Sequence, residues 1–138
     1  MSKLKVTTIA NVADSESTDV TNVINGSAKA WVNFDGTFGT SPFTVANGGI
    51  RAAFNVSSVT DNGTGNYTVN FASAMPDANY SAILTGGNGT ANGVDDQCRA
   101  FRPTTGGFLT NSYQFAVVNQ NETAFSDANI VQVAIFSN

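Results

Sequence analysis

The chain has no histidine, a single cysteine and few charges. Each shortage removes a class of function. Without histidine, imidazole-based catalysis and His-ligated metal centres are excluded. Cys98 has no second cysteine to pair with, so no internal disulfide exists. Nor is there an imidazole to activate it as a nucleophile, and it reads as a small buried hydrophobe. The six Lys and Arg residues are scattered as Lys3, Lys5, Lys29, Arg51, Arg99 and Arg102. With no basic patch and a formal net charge of −4, counter-ion release cannot drive nucleic-acid binding. No run of apolar residues is long enough for a helical membrane span. Met1-Ser2-Lys3-Leu4-Lys5 has no apolar segment of the signal-peptide kind, which predicts synthesis in a cytoplasm.

What is present suits one β-rich domain. The 138 residues are 41% hydrophobic, enough for a core, and only 12% charged, about half the usual share. Asn, Thr, Ser, Gly and Ala fill the difference. Residues 54–84 carry the clearest pattern. Tyr67, Val69 and Phe71 alternate with Thr68 and Asn70, the period of a strand with one buried and one wet face. Before them, Phe54, Val56 and Ser58 fall on one face of a strand running over about 50–60, and Asn55, Ser57 and Val59 on the other. Asn62-Gly63 marks the turn between the two strands, because both residues tolerate positive φ. Met75-Pro76-Asp77 breaks the run and a third strand covers about 79–85.

Further strands are expected over 29–34, 97–101, 113–118 and 129–136. Ala30, Val32 and Phe34 share one face of the first; Lys29, Trp31 and Asn33 share the other. The last, Asn129 to Phe136, is apolar on both faces and so belongs in the centre of a sheet or at an interface. The Gly- and Pro-containing stretch 35–49 reads as a loop pinned by Phe38, Phe43 and Val45. Residues 1–27 read as an extended arm, with short strands at 3–9 and around Val20, Val23 and Ile24. Helical periodicity is not evident. Eight or so short strands separated by turn signals predict an all-β fold: an antiparallel β-sandwich, jelly-roll-like domain over 28–138, with the N-terminal arm 1–27.

No constellation of reactive side chains points to an enzyme. The carboxylates are Asp14, Glu16, Asp19, Asp35, Asp61, Asp77, Asp95, Asp96, Glu122 and Asp127. Most sit beside Gly, Asn or Pro, where Asp hydrogen-bonds its own turn. Glycoside hydrolysis would need two of them facing across a cleft. Asp95-Asp96, with the carbonyls of the Gly-rich tip 86–93, offers oxygen donors for calcium; Asp61-Asn62-Gly63-Thr64-Gly65-Asn66 has oxygen donors too but lacks the remaining carboxylates of a dedicated calcium loop, and no cofactor or metal is expected. Gly86-Gly87-Asn88-Gly89-Thr90 lacks the lysine of a phosphate-binding loop. Phe38, Phe43, Phe101, Phe108 and Tyr113 are aromatics that could stack on sugar rings; core filling is the competing role for each.

Three segments together resemble a module recurrent in bacteriophage tail-fibre and related virion proteins. They are Lys29-Ala-Trp-Val-Asn-Phe-Asp-Gly-Thr37, the run from Ile50 to Phe71, and Ala74-Met-Pro-Asp-Ala-Asn-Tyr80. The opening Leu4-Lys-Val-Thr-Thr-Ile9 and the closing Val131-Gln-Val-Ala-Ile-Phe136 resemble the two ends of such fibres more loosely. The resemblance implies a virion structural protein, on a tail or capsid surface and made in a host cytoplasm. It implies a homotrimer; that the chain binds no nucleic acid and does not insert in a membrane is the expectation from charge and from the lack of a long apolar run. The interface would fall on the two strands apolar on both faces, through Trp31, Phe34, Val131, Val133 and Ile135. The arm would anchor the protein to other virion proteins through Leu4, Val6 and Ile9. The loops 86–96 and 103–112 would meet a host-surface glycan, with Asn88, Asn92, Asp95, Asp96, Phe108 and Tyr113 as contacts. A capsid decoration or head-fibre protein of the same fold is the alternative, and a glycan-degrading enzyme a third reading that the missing histidine opposes.

Overall fold

In the computed structural model the described residues are 6–10, 17–87, 107–119 and 124–138, with 96–99 described as backbone. Two four-stranded antiparallel sheets form a sandwich. The first contains β3 (Ala30–Phe34), β4 (Ile50–Phe54), β7 (Ser81–Gly87) and β10 (Ile130–Phe136), in the order β4-β3-β10-β7. The second contains β5 (Val56–Asp61), β6 (Asn66–Phe71), β8 (Asp96–Arg99) and β9 (Ser112–Asn119), in the order β5-β6-β9-β8. The closing strand β10 is central, paired with β3 on one side and β7 on the other. Its apolar composition suits that position.

The run 50–60 is two strands in two different sheets. The break is Asn55, in the left-handed region with φ 52°. Asparagine tolerates that conformation because its short side chain can bond locally. Its Nδ2 donates to the Lys29 and Ser73 carbonyls, and its Oδ1 accepts from the Ser73 amide at 2.7 Å. The chain thus changes sheet at one braced residue. A register irregularity between Val56 and Ser58 then resets the alternation. Val59 enters the core, while Phe54 stays more than half exposed on the other sheet. The turn at 61–66 closes as the Asn-Gly signal predicts: the Asn62 amide donates to the Asn66 carbonyl at 2.8 Å, and Gly63 and Gly65 have positive φ.

The core lies between the sheets. Ala30, Val32, Phe34, Val131, Val133 and Ile135 line one wall; Val59, Tyr67, Val69, Tyr113, Phe115 and Val117 line the other. Aromatic rings join the walls, with Phe34 set edge-on to Tyr67 at 5.2 Å and 6.4 Å from Phe115. Such tilted pairs suit the ring quadrupoles and add to area burial. Phe43 is fully buried and bridges Val59 by reciprocal backbone hydrogen bonds. Phe38 packs edge-on against it at 5.8 Å. The Val45 side chain points to solvent and does not pin the loop, although its carbonyl accepts from the Gly48 amide at 3.3 Å; Asn47 does the pinning. Its side chain accepts from the Thr44 and Gly49 amides and donates to the Pro42 carbonyl.

The arm differs from the reading of its second half. Val20, Val23 and Ile24 lie on a seven-residue helix, α1 (Val20–Gly26), and not on a strand. The spacing i, i+3, i+4 is that of one helix face. Ahead of it, β1 (Thr8–Ala10) pairs antiparallel with β2 (Ser17–Asp19). No residue of β1, β2 or α1 is buried. Val6, Ile9, Val23 and Ile24 are each at least two-fifths exposed.

Candidate functional site

Strand β3 divides its side chains cleanly. Ala30, Val32 and Phe34 point inward; Trp31 points outward and is 40% exposed. Pairing register extends that outward position across the whole sheet. Trp31 lies opposite Phe54 on β4 and Ala134 on β10, and Ala134 lies opposite Ile83 on β7. Phe54, Trp31, Ala134 and Ile83 therefore form one apolar row across four strands. The next outward row is Ala52, Asn33, Gln132 and Thr85. It is two residues along each strand, about 7 Å away. Between the rows lies a shallow concavity of about 360 Å³ lined by Trp31, Asn33, Ala52, Ile83, Thr85, Gln132 and Ala134, with Val32 and Val133 beneath.

No charged side chain lines this concavity. Arg51 borders it but is committed elsewhere. Its guanidinium donates to the Phe34 and Asn129 carbonyls at 2.8 and 2.6 Å and pairs with Asp35 at 3.0 Å. Gln132 Oε1 accepts from the Thr85 hydroxyl at 3.3 Å, and Asn33 Oδ1 from Arg51 at 3.4 Å. The amide nitrogens of Asn33 and Gln132 donate to no protein group among the described residues.

Of the five residues assigned to a trimer interface, only Trp31 is available. Phe34, Val131 and Ile135 are fully buried and Val133 nearly so, each inside the sandwich of its own chain. The apolar second face of β3 and β10 was real, but its inward half fills this core. Of the glycan-contact set, Tyr113 is also removed. It is 1% exposed, with its ring stacked on Phe115 at 5.7 Å and edge-on to Tyr80 at 6.1 Å. Burial pushes its hydroxyl up to about 12. Phe108 is partly exposed but packs on Tyr113 and Tyr80 at 4.8 and 5.2 Å. The Tyr80 hydroxyl sits between the carbonyls of Leu109 and Ser112 at 3.1 and 2.9 Å. Burial raises it to about 12, against the lowering effect of the Leu109 bond, with nearby Tyr113 adding to the rise. This aromatic group ties the 107–112 turn to the core. Asn88, Asn92, Asp95 and Phe101 lie outside the described residues, as do the side chains of Asp96 and Cys98. Of the anchor residues, Val6 and Ile9 are exposed and Leu4 lies outside the described residues.

The described carboxylates mostly brace turns, as their neighbours in sequence predicted. Asp61 accepts from the Gly63 amide, Asp77 from Asn79, and Asp35 from both the amide and hydroxyl of Thr37. Asp127 does something sequence could not disclose. Its Oδ1 accepts from the Gly65 amide and the Tyr67 hydroxyl, each at 2.6 Å. Both partners are about sixty residues away in the chain. Among the described residues no three of His, Cys, Asp and Glu converge as a metal site would require.

The outward row was half legible. Period-2 alternation put Lys29, Trp31 and Asn33 together. Phe54, Ile83 and Gln132 were invisible as partners, because nothing in the sequence states that β10 inserts between β3 and β7. Comparison with protein-family models, with curated proteins and with solved structures finds no match for this chain.

Proposed function

We propose that the protein is a non-enzymatic phage virion structural protein of the short tail-fibre type, whose arm attaches it to the particle and whose sandwich binds a host-surface glycan. Attachment would come from many weak contacts made together, since several copies per particle convert weak affinity into firm adhesion. The resemblance over residues 29–84 suggests the virion. The observation that carries the binding role is the uncovered Phe54–Trp31–Ala134–Ile83 row beside uncharged amides. The arm, with Val6, Ile9, Val23 and Ile24 all exposed, fits a segment that docks on another protein. That feature serves a capsid decoration protein equally well.

The test is cryo-EM of purified particles from the phage that encodes the chain. Density for the sandwich at the tail is the expected result. Density spread over the capsid lattice would replace the adhesion role by decoration, and absence from the particle would overturn the virion reading. Deletion of residues 1–27 is expected to abolish incorporation; intact incorporation would refute the anchor.

A further inference from the structure

We infer that the outer face of the β4-β3-β10-β7 sheet is a binding site for a neutral saccharide, with one sugar ring packed on Trp31 and its hydroxyls met by the amides of Asn33 and Gln132. This rests on the attachment reading above and moves the site from the loops to the sheet.

Four observations carry it. The first is the platform. Trp31 is 40% exposed and Phe54, its cross-strand neighbour, 54%. The C–H face of a pyranose packs against such rings because their π faces are electron-rich. The second is the polar row beside the platform, about 7 Å along the strands. That distance lets one ring lie on Trp31 while its edge hydroxyls reach Asn33 and Gln132. The amide nitrogens of both are unengaged among the described residues, so a ligand acceptor displaces water from them without breaking a hydrogen bond within the protein.

The third is charge. The lining is wholly uncharged, and the bordering Arg51 is already neutralised by Asp35 and held by two carbonyls. Lys29, two residues from Trp31 on the same face, turns its ammonium to the Ile24 carbonyl and the Ser27 hydroxyl, so within the lining itself an acidic sugar would find no cation, whereas a neutral polyol needs none. The fourth is size. Given the exposed fractions of Trp31, Phe54 and Ile83, the apolar row offers roughly 300 Å². A stable contact with a second copy buries about 800 Å² per partner, apolar and polar together, so the row would have to be joined by much of the surface around it. The concavity of about 360 Å³ instead lies at the small end of ligand sites.

Trp31 is the only tryptophan, so its fluorescence reports on this face alone. The full chain would be titrated with neutral oligosaccharides of glucose, galactose and N-acetylglucosamine, up to about 10 mM. The expected result is a saturable change in Trp31 emission with at least one series. Gln132→Ala and Asn33→Ala should each weaken that binding roughly threefold to tenfold without shifting thermal unfolding. Calorimetry of Trp31→Ala should show binding lost. No response to any of the series overturns the proposal. So does a response that both amide variants leave unchanged, or tighter binding of a uronate-containing oligosaccharide. A sugar-free emission shift with rising protein concentration would mean that a second copy covers the face, and would equally overturn it. Failure here with the protein still found on particles removes the sugar site, and with it the glycan-binding half of the proposed function, while the virion role stands. Absence from particles removes the virion role alone.

Discussion

Phe34 and Trp31 are three residues apart on one short strand, yet one is fully buried and the other 40% exposed. Phe34 meets Phe43, Tyr67 and Phe115 across the sandwich. Trp31 meets Phe54 and small or uncharged neighbours on the outside. The same element therefore contributes to stability on one face and offers a surface on the other. A large apolar group on the wet face of a sheet gains little from folding, and Trp31, Phe54 and Ile83 in one row form a contiguous patch of the kind that marks a contact surface.

Substitutions can break this contrast. Phe34→Ala should cost the most, about 3–5 kcal/mol, because it removes a ring that touches three others and leaves a cavity. A urea midpoint shift checks it. Gly36→Ala should follow, at about 1–3 kcal/mol. A Cβ there would lie 2.6 Å from both the Ala128 carbonyl and the Tyr67 hydroxyl, so neighbouring backbone must move. Asp127→Ala should cost a similar or smaller amount, about 1–3 kcal/mol, by leaving the Gly65 amide and the Tyr67 hydroxyl without that acceptor. Thermal unfolding of both variants separates them from Phe34→Ala.

A pH titration sharpens the same contrast without mutation. Tyr80 and Tyr113 are raised from 10.0 to about 12. Their neutral forms are thus favoured in the fold, and the unfolded chain loses its protons first. Stability from these two groups is complete below pH 10 and falls as pH rises from 10 towards 12. Urea midpoints across that window should fall, and Tyr113→Phe should flatten the slope. Trp31→Ala should have the smallest effect, about 0.5–1 kcal/mol, since it removes the cross-strand contact with Phe54 but lies outside the core.

Much of the fold was readable because it is local. Tyr67, Val69 and Phe71 alternate, and they form the buried face of β6. Ala30, Val32 and Phe34 do the same on β3. The sheet change at Asn55 was not readable, because a single left-handed residue inside an apolar run looks like strand continuation. The helix α1 was missed because seven residues give too few repeats to separate a helix stripe from a strand. The interface assignment failed for Phe34, Val131, Val133 and Ile135 for another reason. Apolar residues on both faces of a strand say that both faces are covered or used, without saying by what. Only pairing, which brings Phe54 and Ile83 into line with Trp31, separates the core from the surface.

The most direct test of that separation is acrylamide quenching of Trp31 fluorescence in the wild-type chain, measured over a wide range of protein concentration. An open outer face predicts long-wavelength emission that acrylamide quenches efficiently and equally at every concentration. Short-wavelength emission protected from acrylamide would place Trp31 in a buried contact and contradict the account.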